Sequence, residues 1–307
     1  MSFSIDNFIG RKFVITFPFF WLIMFLAIPF MILLYISLVN MGADIHPFKS
    51  LIDVNTGLIS LKYENYFSIF RNEDGTGFLN TIYADAFIKS ISYAFITAFF
   101  CLIIGFPFAY FISCKPPHIR SLLLTLVMLP FWISFLLRVY AWKGILADQG
   151  VLNQLFLWLR VINEPIQLLY TDFSMLLGMI YVYLPFMVLP LYSNLCKLDF
   201  RFIEAAYDLG ASPFKAFWLI TIPLSMAGII SGFMLVFIPA LGEFVIPSLL
   251  GGAENVMIGR VVWDEMFASN NWPRACALAI TMVALMIFPI AIYYSYSGIS
   301  SDSSKVA

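Results

Sequence analysis

The sequence predicts an all-α membrane protein with six transmembrane helices and both termini in the cytoplasm. Three observations carry this expectation. Of 307 residues, 62% are hydrophobic and 11% charged, whereas a soluble domain carries roughly 25% charged residues. Six apolar stretches each reach about the 20 residues that a bilayer core demands. Lysine and arginine are unevenly shared between the two alternating sets of connecting loops.

In chain order, residues 1–12 form a short cytoplasmic N-terminus. Arg11 and Lys12 precede an apolar run that lasts to Val39. That run exceeds the roughly 7–15 residues of a signal-peptide core and has no small-residue cleavage site, so 13–39 is read as an uncleaved first spanning helix. Residues 40–87 make an outer loop. Further spans are expected at 88–113, 121–142, 173–195, 225–249 and 275–297, and residues 298–307 form a polar cytoplasmic tail that frays. Pro29, Pro107, Pro130, Pro185, Pro239 and Pro289 fall inside spans. Such breaks are tolerated where neighbouring helices or a water-lined cavity satisfy the freed backbone groups. A packed bundle around a path fits this better than a simple anchor.

Loop charges set the orientation. Arg11, Lys12, Lys115, Arg120, Lys197, Arg201, Lys215 and Lys305 lie in one set of loops and tails. Lys49, Lys62, Arg71, Lys143, Arg160, Arg260 and Arg274 are spread over an opposite set about twice as long. The denser set is cytoplasmic by the positive-inside rule. The outer loops hold twelve acidic residues against their seven bases. This is either a field that concentrates cations or ordinary solvated loop surface. Two outer stretches are amphipathic. Leu152, Leu155, Phe156 and Leu159 share a helical face within 151–162, which breaks at Asn163-Glu164-Pro165, and Ile258, Val262 and Met266 share one within 258–266. Both are open to two readings, a docking rim for an outside partner or interfacial packing.

The chemistry of an enzyme is missing. No glycine-rich P-loop occurs, since Lys49-Ser50 and Lys89-Ser90 follow Phe48 and Ile88 where glycine is required. The two histidines, His46 and His118, lie in loops, and Cys101, Cys114, Cys196 and Cys276 form no CxxC pair. No catalytic residue, metal site, disulfide framework or bound cofactor is expected in this chain. Its surroundings are membrane lipid, and nothing points to nucleic acid.

The stretch 204–223 is the most informative. Phe200, Ile203 and Tyr207 form one apolar stripe. Gly210 stands where a helix-terminating glycine belongs, and Ser212 with Pro213 makes a good helix start. Phe214, Phe217 and Trp218 begin a second stripe. Two short amphipathic helices, within 200–222, should therefore meet at a Gly-Ala-Ser elbow. Glu204 and Asp208 lie four apart, a mildly destabilising like-charge pair. That acidic face suits either a basic partner or solvent.

Here the residues resemble a family. Glu204, Ala205, Ala206, Gly210, Ile220, Ile222 and Pro223 match the spaced signature E-A-A-x-x-x-G-x(9)-I-x-[LI]-P of binding-protein-dependent ABC importer permeases. The resemblance implies the type I (MetI-like) permease fold over 88–297, in a bacterial inner membrane. It also implies that Glu204, Ala205, Ala206, Asp208 and Gly210 dock into a separate ATPase dimer, which carries the ATP and Mg2+. R-V-Y-A-W at 138–142, Y-L-P-F-M-V-L-P-L-Y at 183–192, L-G-E-F-V-I-P-S-L-L-G-G at 241–252 and M-I-G-R-V at 257–261 look like spermidine/putrescine transporter permeases. This narrower likeness implies a second, homologous permease and an outer polyamine-binding protein as further partners. Another small organic solute, or ATP-independent cation transport, is the alternative. The latter class is expected to show inverted repeats or several intramembrane carboxylates, and the sequence shows neither.

Arg138 and Glu243 are the ionisable residues inside spans, and such residues are usually functional or paired. Counted along straight helices from 121 and 225, both lie roughly 26 Å deep. They either pair with one another, or Glu243 meets a cationic substrate. Tyr140, Trp142, Tyr183 and Trp263 offer aromatic faces that attract alkylammonium groups, or form an interfacial belt. Trp263 beside Asp264 and Glu265 is the best-placed group to receive a polyamine.

Overall fold

The computed structural model describes residues 5–42, 48, 62–70 and 81–303. Most of the expected outer loop 40–87, including Lys49 and His46, and the end of the tail with Lys305 lie outside the described residues. Among those described, the chain is helical throughout, apart from one isolated antiparallel bridge between Met41 and Phe48. Two compact units emerge, Met1–Thr81 with Val262–Ala284, and Ile82–Val261 with Leu285–Ala307.

The first unit opens with α1, Ile5–Ser37, whose described side chains are mostly exposed apolar groups. A helix that is apolar all round is built for lipid or a larger core. Helix α2, Glu64–Phe70, closes its end. Asn65 Nδ2 donates to the carbonyls of Ser37 and Val39 at 2.8 and 3.0 Å, and the Ser37 and Tyr66 hydroxyls lie 2.7 Å apart. These bonds satisfy carbonyls that a helix terminus leaves orphaned.

The second unit begins with α3, Thr81–Ser113, followed by α4, Pro117–Met128, a 3₁₀ turn Leu129–Trp132, and α5, Phe135–Leu146. The expected straight span 121–142 is instead broken, with an 86° bend between Pro117–Trp132 and Phe135–Trp158. Pro130 tightens the turn, and Ile133 is extended and Ser134 non-helical. Helix α6, Val151–Trp158, ends before the expected Asn-Glu-Pro break. Its buried residue is Asn153, while Leu155 and Leu159 of the apolar face are exposed. The physical reason is local: the Asn153 amide donates to the carbonyls of Ala147 and Ile166 and accepts from the Ile166 N–H, so one side chain satisfies three loop backbone groups.

Helix α7, Asp172–Leu195, is the centre of this unit and buries eleven of its residues. Thr171 and Ser174 form a reciprocal capping box at its start. Helices α8 (Arg201–Asp208), α9 (Pro213–Ala216) and α10 (Ile222–Leu224) lead into α11, Met226–Leu241. Helix α11 lies along α7. A methyl placed on Gly228 would sit 2.6 Å from Asn194 Cβ, and one on Gly232 2.8 Å from Met187 Sδ, the close approach that small residues four apart allow in membrane bundles.

The expected fifth span, 225–249, also breaks. Helix α11 ends at Leu241, residues 242–244 cross a gap, and α12 (Val245–Leu250) resumes. Helices α13, Ile258–Phe267, and α14, Trp272–Ser303, complete the chain. Both cross the boundary between the units, and α14 continues past the expected end of the sixth span at 297. Among the described residues, three helical stretches are long and apolar enough to cross a membrane, Thr16–Ser37, Ile82–Ser113 and Asp172–Leu195, and two bent pairs bring this to five if each is one span.

Candidate coupling surface and polar cluster

The stretch 201–223 folds as two short helices around a glycine. Asp199 Oδ1 accepts from the Arg201 N–H at 3.0 Å, starting α8. At its end the Gly210 N–H bonds the Tyr207 carbonyl and the Ala211 N–H bonds the Ala206 carbonyl, both at 2.9 Å, the paired bonds of a Schellman cap. Gly210 takes φ +83°. A side chain there would meet no neighbour within 4 Å, so backbone conformation, not space, demands the glycine. Ser212 caps α9 by accepting from the Lys215 N–H. A wide π turn, Phe217–Thr221, precedes Pro223, which supplies no N–H to a regular helix.

The buried face of this elbow keeps Phe200 and Ile203 of the first expected stripe and adds alanines. Ile203, Ala206 and Ala216 pack together, with Leu198, Phe200, Ala211 and Ile220 around them. Tyr207, Phe214 and Trp218 remain exposed. Two helices this close at the elbow leave room for alanine where they touch, so the aromatic groups face outward. Glu204, Ala205 and Asp208 are exposed beside Leu209, which is 89% exposed. The surface is therefore an acidic and apolar ledge with Ala206 as its internal support.

The polar cluster lies where α5, α7 and α12 pack together. The Tyr183 hydroxyl donates to Glu243 Oε2 at 2.6 Å. Glu243 Oε1 accepts from the N–H groups of Val245 and Ile246 at 2.9 and 3.4 Å. Arg138 does not pair with it. Its guanidinium carbon stands 4.9 Å from the ring centre of Phe131 and 5.9 Å from that of Phe135. The residue is 7% exposed, with Nε and Nη1 buried and unpartnered. Equal depth along straight helices does not produce the pair, because both spans break next to these residues, at 133–134 and 242–244. Phe131 meets Phe186 edge-on at 5.2 Å, and Phe186 lies 6.2 Å from Tyr183. Rings therefore link the two charges.

Of the other expected residues, Tyr140 is exposed, Trp142 packs edge-on against Tyr181 at 5.4 Å, and Tyr183 is turned inward to Glu243. Trp263 lies tilted against Phe267, ring centres 4.2 Å apart, in the first unit, with Asp264 and Glu265 beside it in α13. Sequence reading missed Phe131, Phe186, Ser174 and Gly178. The spacing of Ser174 and Gly178, small residues four apart in an apolar helix, was the available signal for the last two.

This fold and this ledge define a class, the membrane subunit of a transporter. The chain belongs to the family described as binding-protein-dependent transport system inner membrane component, whose model matches residues 102–300. It is 39% identical over 285 residues to the spermidine/putrescine transport system permease protein PotB of Haemophilus influenzae, covering 92% of this chain and 93% of that one. It is 41% identical over 229 residues to PotB of Escherichia coli, covering 75% and 83%. Among solved structures it resembles a bacterial ABC transporter involved in the import of the acidic polysaccharide alginate. The TM-score is 0.59 at 16% identity, covering 93% of this chain and 96% of that one, and this likeness concerns the fold alone.

Proposed function

We propose that this chain is a permease subunit of an ATP-binding-cassette importer for polyamines such as putrescine and spermidine. The observation that carries the reading is its 39–41% identity to spermidine/putrescine permeases over most of its length, joined to an exposed Glu204–Gly210 ledge on a capped, rigid elbow. A separate ATPase dimer binds that ledge, holds the ATP and Mg2+, and moves the membrane helices through it. Glu204, Ala205 and Asp208 meet the ATPase, while Ala206 and Gly210 fix the shape that it grips. A second, homologous permease completes the pathway, and an outer binding protein supplies the substrate.

In this reading the chain crosses the membrane six times, each bent pair counting as one span and α14 as the sixth, with both termini cytoplasmic. The exposed ring of Tyr140 and the Trp142–Tyr181 pair line the substrate path. Arg138 belongs to the same path, and Trp263, Asp264 and Glu265 receive the polyamine. Co-purification tests the coupling half. The wild-type chain retains the ATPase and Glu204→Lys releases it. Retention unchanged by Glu204→Lys would count against the ledge as the ATPase seat.

A further inference from the structure

Glu243 is an ionisable residue within an apolar stretch, where a carboxylate is a natural candidate for holding a cation. Its hydrogen bonds use it otherwise. We propose that Glu243 is a positioning residue: its carboxylate fixes the short helix α12 onto α7 and takes no substrate ammonium.

Helix α12 has six residues, too few to hold its shape unaided. Each part of it is tied down. At its start, Glu243 Oε1 takes the N–H groups of Val245 and Ile246, donors that a helix N-terminus leaves without partners, while Oε2 takes the Tyr183 hydroxyl from α7. At its end, the Ser174 hydroxyl of α7 donates to the Leu250 carbonyl at 2.7 Å. Between these ties α12 sinks into a notch, because a methyl on Gly178 would lie 2.5 Å from Leu250 Cδ1 and 3.2 Å from Ile246 Cγ2. From another side Gly259 backs onto the break, where a methyl would lie 2.4 Å from the Gly242 carbonyl oxygen. The gap at 242–244 is thus a built joint.

A carboxylate offers about four acceptor sites. Three are occupied here, two of them by the first N–H groups of α12 and one by the Tyr183 hydroxyl. One site is left, so an ammonium, with its three N–H donors, would gain more than a single bond only by displacing a tie to α12 or to α7. The carboxylate is thus committed mainly to holding α12, and substrate charge is left to other groups.

Two measurements test this, and the transport measurement rests on the polyamine-permease reading above while the labelling measurement does not. Cys114 and Cys196 are replaced by serine, and Ile246→Cys or Leu250→Cys, both fully buried sites, is labelled with N-ethylmaleimide in membranes. Glu243→Ala raises the labelling rate about tenfold or more, as loss of several hydrogen bonds implies. Glu243→Gln, which keeps one acceptor oxygen, raises it less. Tyr183→Phe adds nothing further to Glu243→Ala. Unchanged labelling in Glu243→Ala at both sites overturns the proposal.

In proteoliposomes carrying the full importer, Glu243→Gln lowers the maximal rates for putrescine and spermidine by the same factor and holds each KM within about twofold. A KM that rises more for the triamine than for the diamine overturns it. If the wild-type chain moves neither amine, the polyamine reading fails and the labelling result still decides the role of Glu243.

Discussion

Tyr183 and Glu243 meet at 2.6 Å, hydroxyl to carboxylate, and this bond joins the middle of α7 to the break ahead of α12. It separates the two intramembrane charges. Glu243 is held by three donors, whereas Arg138 rests against aromatic rings with two of its nitrogens unpartnered. A pair that equal depth suggested is replaced by a clasp on one side and a stranded cation on the other.

The stranded cation gives the first prediction. Burying an unpaired guanidinium is unfavourable, and apolar residues of similar volume commonly replace buried charges with neutral effect or a gain of about 1–4 kcal/mol. Arg138→Met should hold or raise the thermal midpoint of the purified chain in detergent. A clear fall would mean that the Phe131 and Phe135 rings stabilise the guanidinium by more than its burial costs.

Gly178 and Gly144 make a contrasting couple. A methyl at Gly178 runs into Leu250 and Ile246, whereas one at Gly144 meets nothing within 4 Å. Gly178→Val should destabilise the chain by about 1–3 kcal/mol through overpacking, read as a lowered unfolding midpoint. Gly144→Ala, in α5, should be neutral or slightly stabilising.

Gly210 is held at positive φ. Gly210→Ala should cost about 1–2 kcal/mol locally, and Gly210→Asn less, because asparagine tolerates that conformation. Exchange of the Gly210 and Ala211 amides with deuterium should speed up in the alanine variant. Equal protection in all three chains would show that the cap does not set the elbow.

Ser174→Ala removes both the donor to the Leu250 carbonyl and the acceptor for the Thr171 N–H in the capping box, each loss costing about 1–3 kcal/mol. The unfolding midpoint should drop. A midpoint left unchanged would mean that other donors and acceptors already serve the Leu250 carbonyl and the Thr171 N–H.

The sequence carries the elbow more completely than the polar cluster. Gly210, Ser212 and Pro213 act through their own backbone preferences, which are local and readable. The small spacing of Gly228 and Gly232 likewise announces the seam between α7 and α11. Tertiary contacts are less visible. Ala206 and Ala216 are placed by how closely two helices meet, so they join Ile203 of the first stripe inside while Tyr207, Phe214 and Trp218 stay outside. Arg138 and Glu243 depend on breaks at 133–134 and 242–244, which a count along straight helices overlooks. Asn153 is buried because a loop 13 residues later needs its amide, a requirement that periodicity does not express.

The most direct test of the account is spermidine uptake into proteoliposomes that contain this chain with its sister permease and ATPase, the binding protein being supplied at the outer face. A polyamine importer driven through the Glu204 ledge accumulates spermidine only with ATP and the binding protein, and Glu204→Lys abolishes this. Uptake that proceeds without the ATPase, or that Glu204→Lys leaves intact, would contradict it.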